Sequence, residues 1–168
     1  MTSPPADRLG ILVLGLALIA AGLFAFGLGA AVHWAAGIFM VSRLVRRVSG
    51  TRPGRRMDAL TGMISYAALF LGIAVGLWRS GVGGWTIALA VVVALAIALD
   101  TALRLRSEAV RRDAPPSRLR LAPFGLEDGV YLIGPIVWLG GLFPFFVVGC
   151  LRTLLFFTVR VSIHVFQS

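Results

Sequence analysis

Four carboxylates stand where long apolar stretches give way to polar ones: Asp58, Asp100, Glu127 and Asp128. An ionisable group at the end of a lipid-soluble segment is costly to place and is a candidate for function by default. All four have arginines for neighbours, in clusters that run from Arg43 to Arg56 and from Arg104 to Arg120. Carboxylates and guanidiniums gathered at one depth predict a polar cleft suited to an anionic head group or a nucleotide, held by two-pronged arginine hydrogen bonds. The same residue types also fit a purely structural role, in which end-of-span acids neutralise neighbouring arginines and anchor a bundle.

Other chemistry is thinly represented. His33 and His164 have no second histidine or carboxylate at ligand spacing in their own segments, which argues against metal binding by either. Cys150 is the single cysteine and lies in an apolar run, so there is no disulfide framework, and a small buried hydrophobe is the expected role. No nucleophile elbow, phosphate-cradling glycine loop or zinc helix occurs. Gly72 and Gly76 form a GxxxG pair, a spacing that serves close helix packing.

The segments that must position these residues are lipid-soluble. The chain has 168 residues, 58% of them hydrophobic and 14% charged, with a mean hydropathy of +0.92, against roughly 45–50% and about 25% in soluble domains. A soluble fold of this length cannot hide so much apolar surface, so the expectation is an all-α, polytopic membrane bundle of about six transmembrane helices forming a single domain over residues 1–168. All sixteen basic residues are arginine, and the formal net charge is +9. Basic clusters between apolar stretches read as cytoplasmic loops facing anionic lipid, and nucleic acid is not the expected partner.

From Leu9 to Val41 the one clearly polar side chain is His33. A straight helix of that length would reach about 50 Å, beyond a hydrocarbon core of about 30 Å, so the chain must reverse. Gly27 and Gly29 mark the reversal and divide spans at 9–26 and 29–45. A basic loop from Ser42 to Arg56 leads to a third span at 58–78. Ser80, Gly81, Gly83 and Gly84 form a turn bracketed by Trp78 and Trp85, and a fourth span follows at 85–103. The longest loop is expected from Arg104 to Pro123. Fifth and sixth spans at 127–142 and 145–164 require a hairpin near Gly141 to Pro144; without it, one span would be followed by an interfacial amphipathic helix. The segment before Leu9 is Pro-rich and lacks a basic n-region, so the first span is read as uncleaved. Both termini and the arginine-rich loops are placed in the cytoplasm, and the exclusive use of arginine points to the cell membrane of a bacterium with a GC-rich genome.

The layout resembles the CDP-alcohol phosphatidyltransferase family over nearly the whole chain. That family carries Asp-x2-Asp-Gly-x2-Ala-Arg-x8-Gly-x3-Asp-x3-Asp from the end of its second span into its third. In this chain Arg46, Gly54 and Asp58 fit the pattern, with one residue fewer between Arg46 and Gly54, while Ile38, Val41 and Gly62 replace three of the four acids. The run Arg104-Leu105-Arg106-Ser107-Glu108 is similar to the Arg-x-Arg-x-Glu that closes the family's fourth span, and Glu127-Asp128 is similar to a polar pair opening the next.

The resemblance implies six-span enzymes of phospholipid synthesis that move a phosphatidyl group from a CDP-linked donor to an alcohol. Two divalent cations, Mg or Mn, are held there by the four acids, and the last Asp serves as base. It further implies substrate binding through Arg46, Gly54, Arg104, Arg106 and Glu108, with Asp58 the one metal ligand left. Ile, Val and Gly supply no oxygen donor, so the expected outcome is a diverged or catalytically inactive member that retains anionic lipid or nucleotide binding. It would act alone, as a homodimer, or as a heterodimer with an active paralogue. Two alternatives stand beside this one. Asp58, Asp100, Glu127 and Asp128 could assemble an unorthodox metal site in an active enzyme. An unrelated small transporter or scaffold is the other, disfavoured by the expectation that no ionisable residue lies deep in a span.

Overall fold

The computed structural model describes residues 6–27, 29–48, 55–110 and 132–166. Among these there is no strand and there are six helices: α1 (Ala6–Phe26), α2 (Ala30–Val48), α3 (Arg55–Arg79), α4 (Trp85–Val110), α5 (Ile133–Trp138) and α6 (Leu142–Phe166). Helices are what apolar sequence of this kind must form in lipid, because each backbone N–H and C=O has to be satisfied within its own segment. Four are long and apolar enough to cross a membrane, through Leu9–Phe26, Met57–Arg79, Trp85–Arg106 and Leu142–Ser162. The apolar part of α2 is confined to Ala30–Val45, about 24 Å at about 1.5 Å per residue. A membrane bundle is thus supported by four helices of spanning length, with α2 shorter and α5 a brief segment.

Glycine sets the reversals. Gly27 and Gly29 have φ of +67° and +42° and join α1 to α2, at the place the sequence indicates. α3 ends in a Schellman motif: the Gly81 amide donates to the Trp78 carbonyl and the Val82 amide to the Leu77 carbonyl, both at 3.0 Å, with Gly81 at φ +87°. α5 ends the same way, the Gly140 amide donating to Val137 at 2.9 Å and the Gly141 amide to Ile136 at 2.8 Å, with Gly140 at φ +79°. The hairpin expected at Gly141 to Pro144 therefore turns at Gly140–Gly141 instead. Pro144 lies in the first turn of α6, where its missing N–H is of no consequence, so the last helix opens at Leu142, ahead of the expected 145. Of the expected span 127–142, only Ile133–Trp138 is a described helix.

Two boundaries differ from expectation on the basic side. α2 continues to Val48, so Ser42–Val48 is helical where a loop was expected. α4 continues to Val110, which puts Arg104, Arg106 and Glu108 on a helix beyond the expected end at 103. Arginine and glutamate are good helix formers, and helices of this kind run past the hydrocarbon edge without an energetic reason to stop there.

α3 is central, packing against α1, α4 and α6. Its contact with α1 depends on the absence of side chains. A Cβ added to Gly72 would fall on the carbonyl oxygen of Ala21, and one added to Gly76 on that of Phe24. Ala17, Ala20 and Phe24 of α1 and Leu69, Ile73 and Ala74 of α3 fill the surrounding core, and the Phe70 and Phe146 rings, 6.3 Å apart, tie α3 to α6.

The helices share two ends. At one, Arg79 Nη1 donates to the Ala25 carbonyl at 3.5 Å, Trp138 Nε1 donates to the His33 carbonyl at 3.4 Å, and the Trp85 and Phe143 rings meet edge to face at 6.0 Å. All four tryptophans, Trp34, Trp78, Trp85 and Trp138, are exposed at this end, as in an interfacial aromatic belt. Asp100, Arg104 and Arg160 lie toward the other end.

Replacing Gly72 by Leu is expected to destabilise the bundle by about 1–3 kcal/mol, the usual cost of overpacking. Gly37→Ala, whose added methyl group meets nothing within 4 Å, is expected to leave stability unchanged or slightly raised. Thermal unfolding of the two variants in detergent, side by side, checks both.

Candidate functional site

The buried stripe of α4 runs through Thr86, Ala90, Val93 and Ala96. Four residues on, it reaches Asp100, and four further, Arg104, so the apolar seam ends in charge. The facing helix α6 does the same: Phe146, Cys150 and Thr153 are buried, and Arg160 continues their side of the helix. Asp100 is 19% exposed and receives both arginines. Arg104 Nε donates to Oδ2 at 2.9 Å and Arg160 Nη1 donates to Oδ1 at 2.5 Å. Two positive charges thus converge from two helices on one negative charge. With the guanidiniums 54% and 45% exposed, water screens the pairs, and each contributes roughly 0.5–1 kcal/mol or less.

A second charged feature lies between α2 and α3. Arg43 is 6% exposed and is the one buried charged side chain among the described residues. Its guanidinium carbon is 4.1 Å from the centre of the Tyr66 ring and 5.3 Å from that of Phe39. Both rings thereby offset part of the cost of withdrawing a cation from water. Nearby hydroxyls are satisfied locally: Ser42 donates to the Phe39 carbonyl and Ser65 to the Thr61 carbonyl, each at 2.7 Å. Arg43 was expected in a loop with the other arginines. The helical register corrects that expectation, because Ala35, Ala36, Phe39, Ser42 and Arg43 form one buried stripe of α2, with Arg43 near the end of its apolar stretch. The i, i+4 spacing of Phe39 and Arg43 was the available signal.

The remaining candidates divide by place. Asp58 is half-buried in the first turn of α3, and Arg106 is exposed on α4. Arg46 falls in the last turn of α2 and Glu108 near the end of α4, with their side chains outside the described residues, as are Gly54, Glu127 and Asp128 altogether. The structure therefore unites Asp100 with Arg104, as the clustering suggests, and adds Arg160, which the sequence did not single out. Arg152, also on α6, stacks its guanidinium 5.6 Å from the Phe156 ring. His33 sits at the tryptophan end, its Nδ1 3.1 Å from the Gly29 carbonyl, remote from the basic end.

Among the described residues, no three His, Cys, Asp or Glu side chains come together as a metal site. A hard cation such as Mg or Mn requires several oxygen ligands, and Asp58 with its described surroundings does not fit one. What the arrangement can do is hold an oxyanion by charge and directed N–H donors.

Arg43→Lys keeps the charge but loses the planar stacking on Tyr66. A loss of about 1 kcal/mol, or roughly 2–4 °C in Tm, is expected, with Arg43→Ala at least as damaging; fluorescence-monitored melting of the purified protein checks this.

Comparison with known proteins gives no match to any family model, characterised protein or solved structure.

Proposed function

We propose that this chain is a multi-pass protein of a bacterial cell membrane, a diverged relative of the CDP-alcohol phosphatidyltransferases that binds phosphate-bearing lipids at its arginine-rich end without turning them over. The observation that carries the proposal is the polarity of the bundle. Every tryptophan is at one end, whereas Asp100, Arg104 and Arg160 cluster toward the other. Tryptophan at one interface and arginine at the opposite one orient the bundle with its basic end in the cytoplasm, where anionic lipid head groups are attracted to such clusters.

Six spans, with α2 as a short second span and α5 within the fifth, belong to this reading, as do cytoplasmic termini. Support for the family relation is the remnant Arg46, Gly54, Asp58 and the run Arg104-x-Arg106-x-Glu108. Loss of turnover follows from Ile38, Val41 and Gly62, which cannot ligate a cation. The small-residue helix faces suit a homodimer or a pairing with an active paralogue.

The decisive experiment incubates the protein in nanodiscs with a CDP-alcohol, Mg or Mn, and a panel of acceptor alcohols, and measures release of CMP. No metal-dependent release above a protein-free control is expected, and Asp58→Ala is expected to behave like the wild type. Release that requires metal and vanishes in Asp58→Ala would establish an active enzyme with a remodelled site and overturn the proposal.

A further inference from the structure

α2 is shorter than the layer it has to cross. Its apolar stretch, Ala30–Val45, rises about 24 Å against a hydrocarbon core of about 30 Å, while the other four long helices offer stretches of 18, 23, 22 and 21 residues. A short span is accommodated by thinning the bilayer around it or by association, which takes the mismatched surface out of lipid. The mismatch acts only where the helix meets lipid. On α2 that is the side opposite its buried stripe of Ala35, Ala36, Phe39, Ser42 and Arg43.

This outer side carries a pattern. Ala30, Trp34, Gly37, Val41 and Leu44 follow one another at alternating steps of four and three residues, the spacing with which a helix presents a seam to another helix. Trp34 is 71% exposed, and Val41 and Leu44 are each 53% exposed. The one arginine between Ala30 and Val45, Arg43, is turned into the contact with α3, against Tyr66 and Phe39, so no arginine interrupts the seam.

Gly37 sits at the centre of the seam. Glycine weakens a helix relative to alanine, and in the core its use is visible: Gly72 and Gly76 of α3 admit the backbone of α1, and Gly134 of α5 admits Met40 of α2. A Cβ on Gly37 meets nothing within 4 Å, so no neighbour inside the bundle uses the gap it leaves. A gap in the middle of an outward seam lets a facing helix approach closely.

We infer that two copies of this chain associate through the outer faces of α2, about a twofold axis along the membrane normal. Gly37 of each copy admits the other, and Trp34, Val41 and Leu44 line the contact. Both copies point the same way, since the arginine-rich end sets the orientation, and a twofold axis is the symmetry that lets one face meet itself. The inference rests on the membrane reading above and gives a surface to the homodimer named there; it does not depend on lipid binding.

The full chain, labelled at its N-terminal amine with a donor or an acceptor dye, is reconstituted at high dilution in vesicles of dimyristoyl or dierucoyl phosphatidylcholine, and association is read by energy transfer. The wild type is expected to associate, about tenfold more tightly in the thicker dierucoyl bilayer. Gly37→Leu is expected to weaken association about tenfold or more. Gly15→Leu on α1, where an added Cβ likewise meets nothing within 4 Å, should associate as the wild type does. Under oxidation, Val41→Cys should form a disulfide across the axis, because that bond requires the two backbones to lie close together. Leu95→Cys, at a similar depth on the exposed side of α4, should not, and the wild type should stay unlinked because Cys150 is buried.

Monomers in both bilayers, association indifferent to Gly37→Leu, or linking through Leu95→Cys in place of Val41→Cys each overturn the inference. Association equally tight in both bilayers overturns it too, since the short apolar stretch is what argues for a partner over lipid. Resistance of the same samples to extraction by alkaline carbonate leaves the membrane reading standing in those cases; extraction overturns both.

Discussion

The backbone of α3 lies almost directly on that of α1, because Gly72 and Gly76 present no side chain to Ala21 and Phe24. In lipid no hydrophobic force draws helices together, so dispersion contacts at this range are what hold a bundle. From that contact the other helices take their places. Thr86 of α4 has its hydroxyl 3.1 Å from the Ala74 carbonyl of α3, and Phe146 of α6 packs its ring on Phe70 of α3. α4 and α6 therefore meet along a shared seam, and the seam decides that Asp100 and Arg160, sixty residues apart in sequence, share one ion pair.

Charge is distributed in this bundle by what it can reach. Arg104 and Arg160 are about half exposed, so water screens their pairing with Asp100. Arg43 is the opposite case. It is withdrawn into the contact between α2 and α3 and is held against two aromatic faces. Aromatic rings are good neighbours for such a cation because they meet its charge with a quadrupole without demanding that a second ion be desolvated. The cost of this placement is consistent with α2 being the helix with the shortest apolar stretch of the five long ones.

Phosphoryl transfer on paired cations needs several carboxylates at one point, and the described part of this molecule has no such point. Binding a phosphate ester needs much less: positive charge, donors in a fixed arrangement, and a depth near the head groups.

Hydropathy and glycine placement determined the helical content, the helices of membrane-spanning length and the reversals between α1 and α2 and between α3 and α4, since apolar runs of spanning length have no other stable form in lipid and glycine at Gly27, Gly29, Gly81 and Gly83 supplies the left-handed backbone that a tight turn requires. The GxxxG spacing at Gly72 and Gly76 likewise announced a close helix contact, though not its partner. Helix ends were less legible on the basic side, because arginine reads as loop in a hydropathy profile while favouring helix locally; α2 and α4 run on to Val48 and Val110 for that reason. The last hairpin was misplaced because a Schellman motif selects the glycine that can adopt φ +79°, Gly140, and proline is content inside the following turn. The burial of Arg43 and the meeting of Asp100 with Arg160 could be decided by tertiary structure alone. Both depend on the rotation and depth of one helix against another, which is fixed by side-chain packing across the interface; the i, i+4 spacing of Phe39 and Arg43 places the two on one face of α2 without saying which helix that face meets.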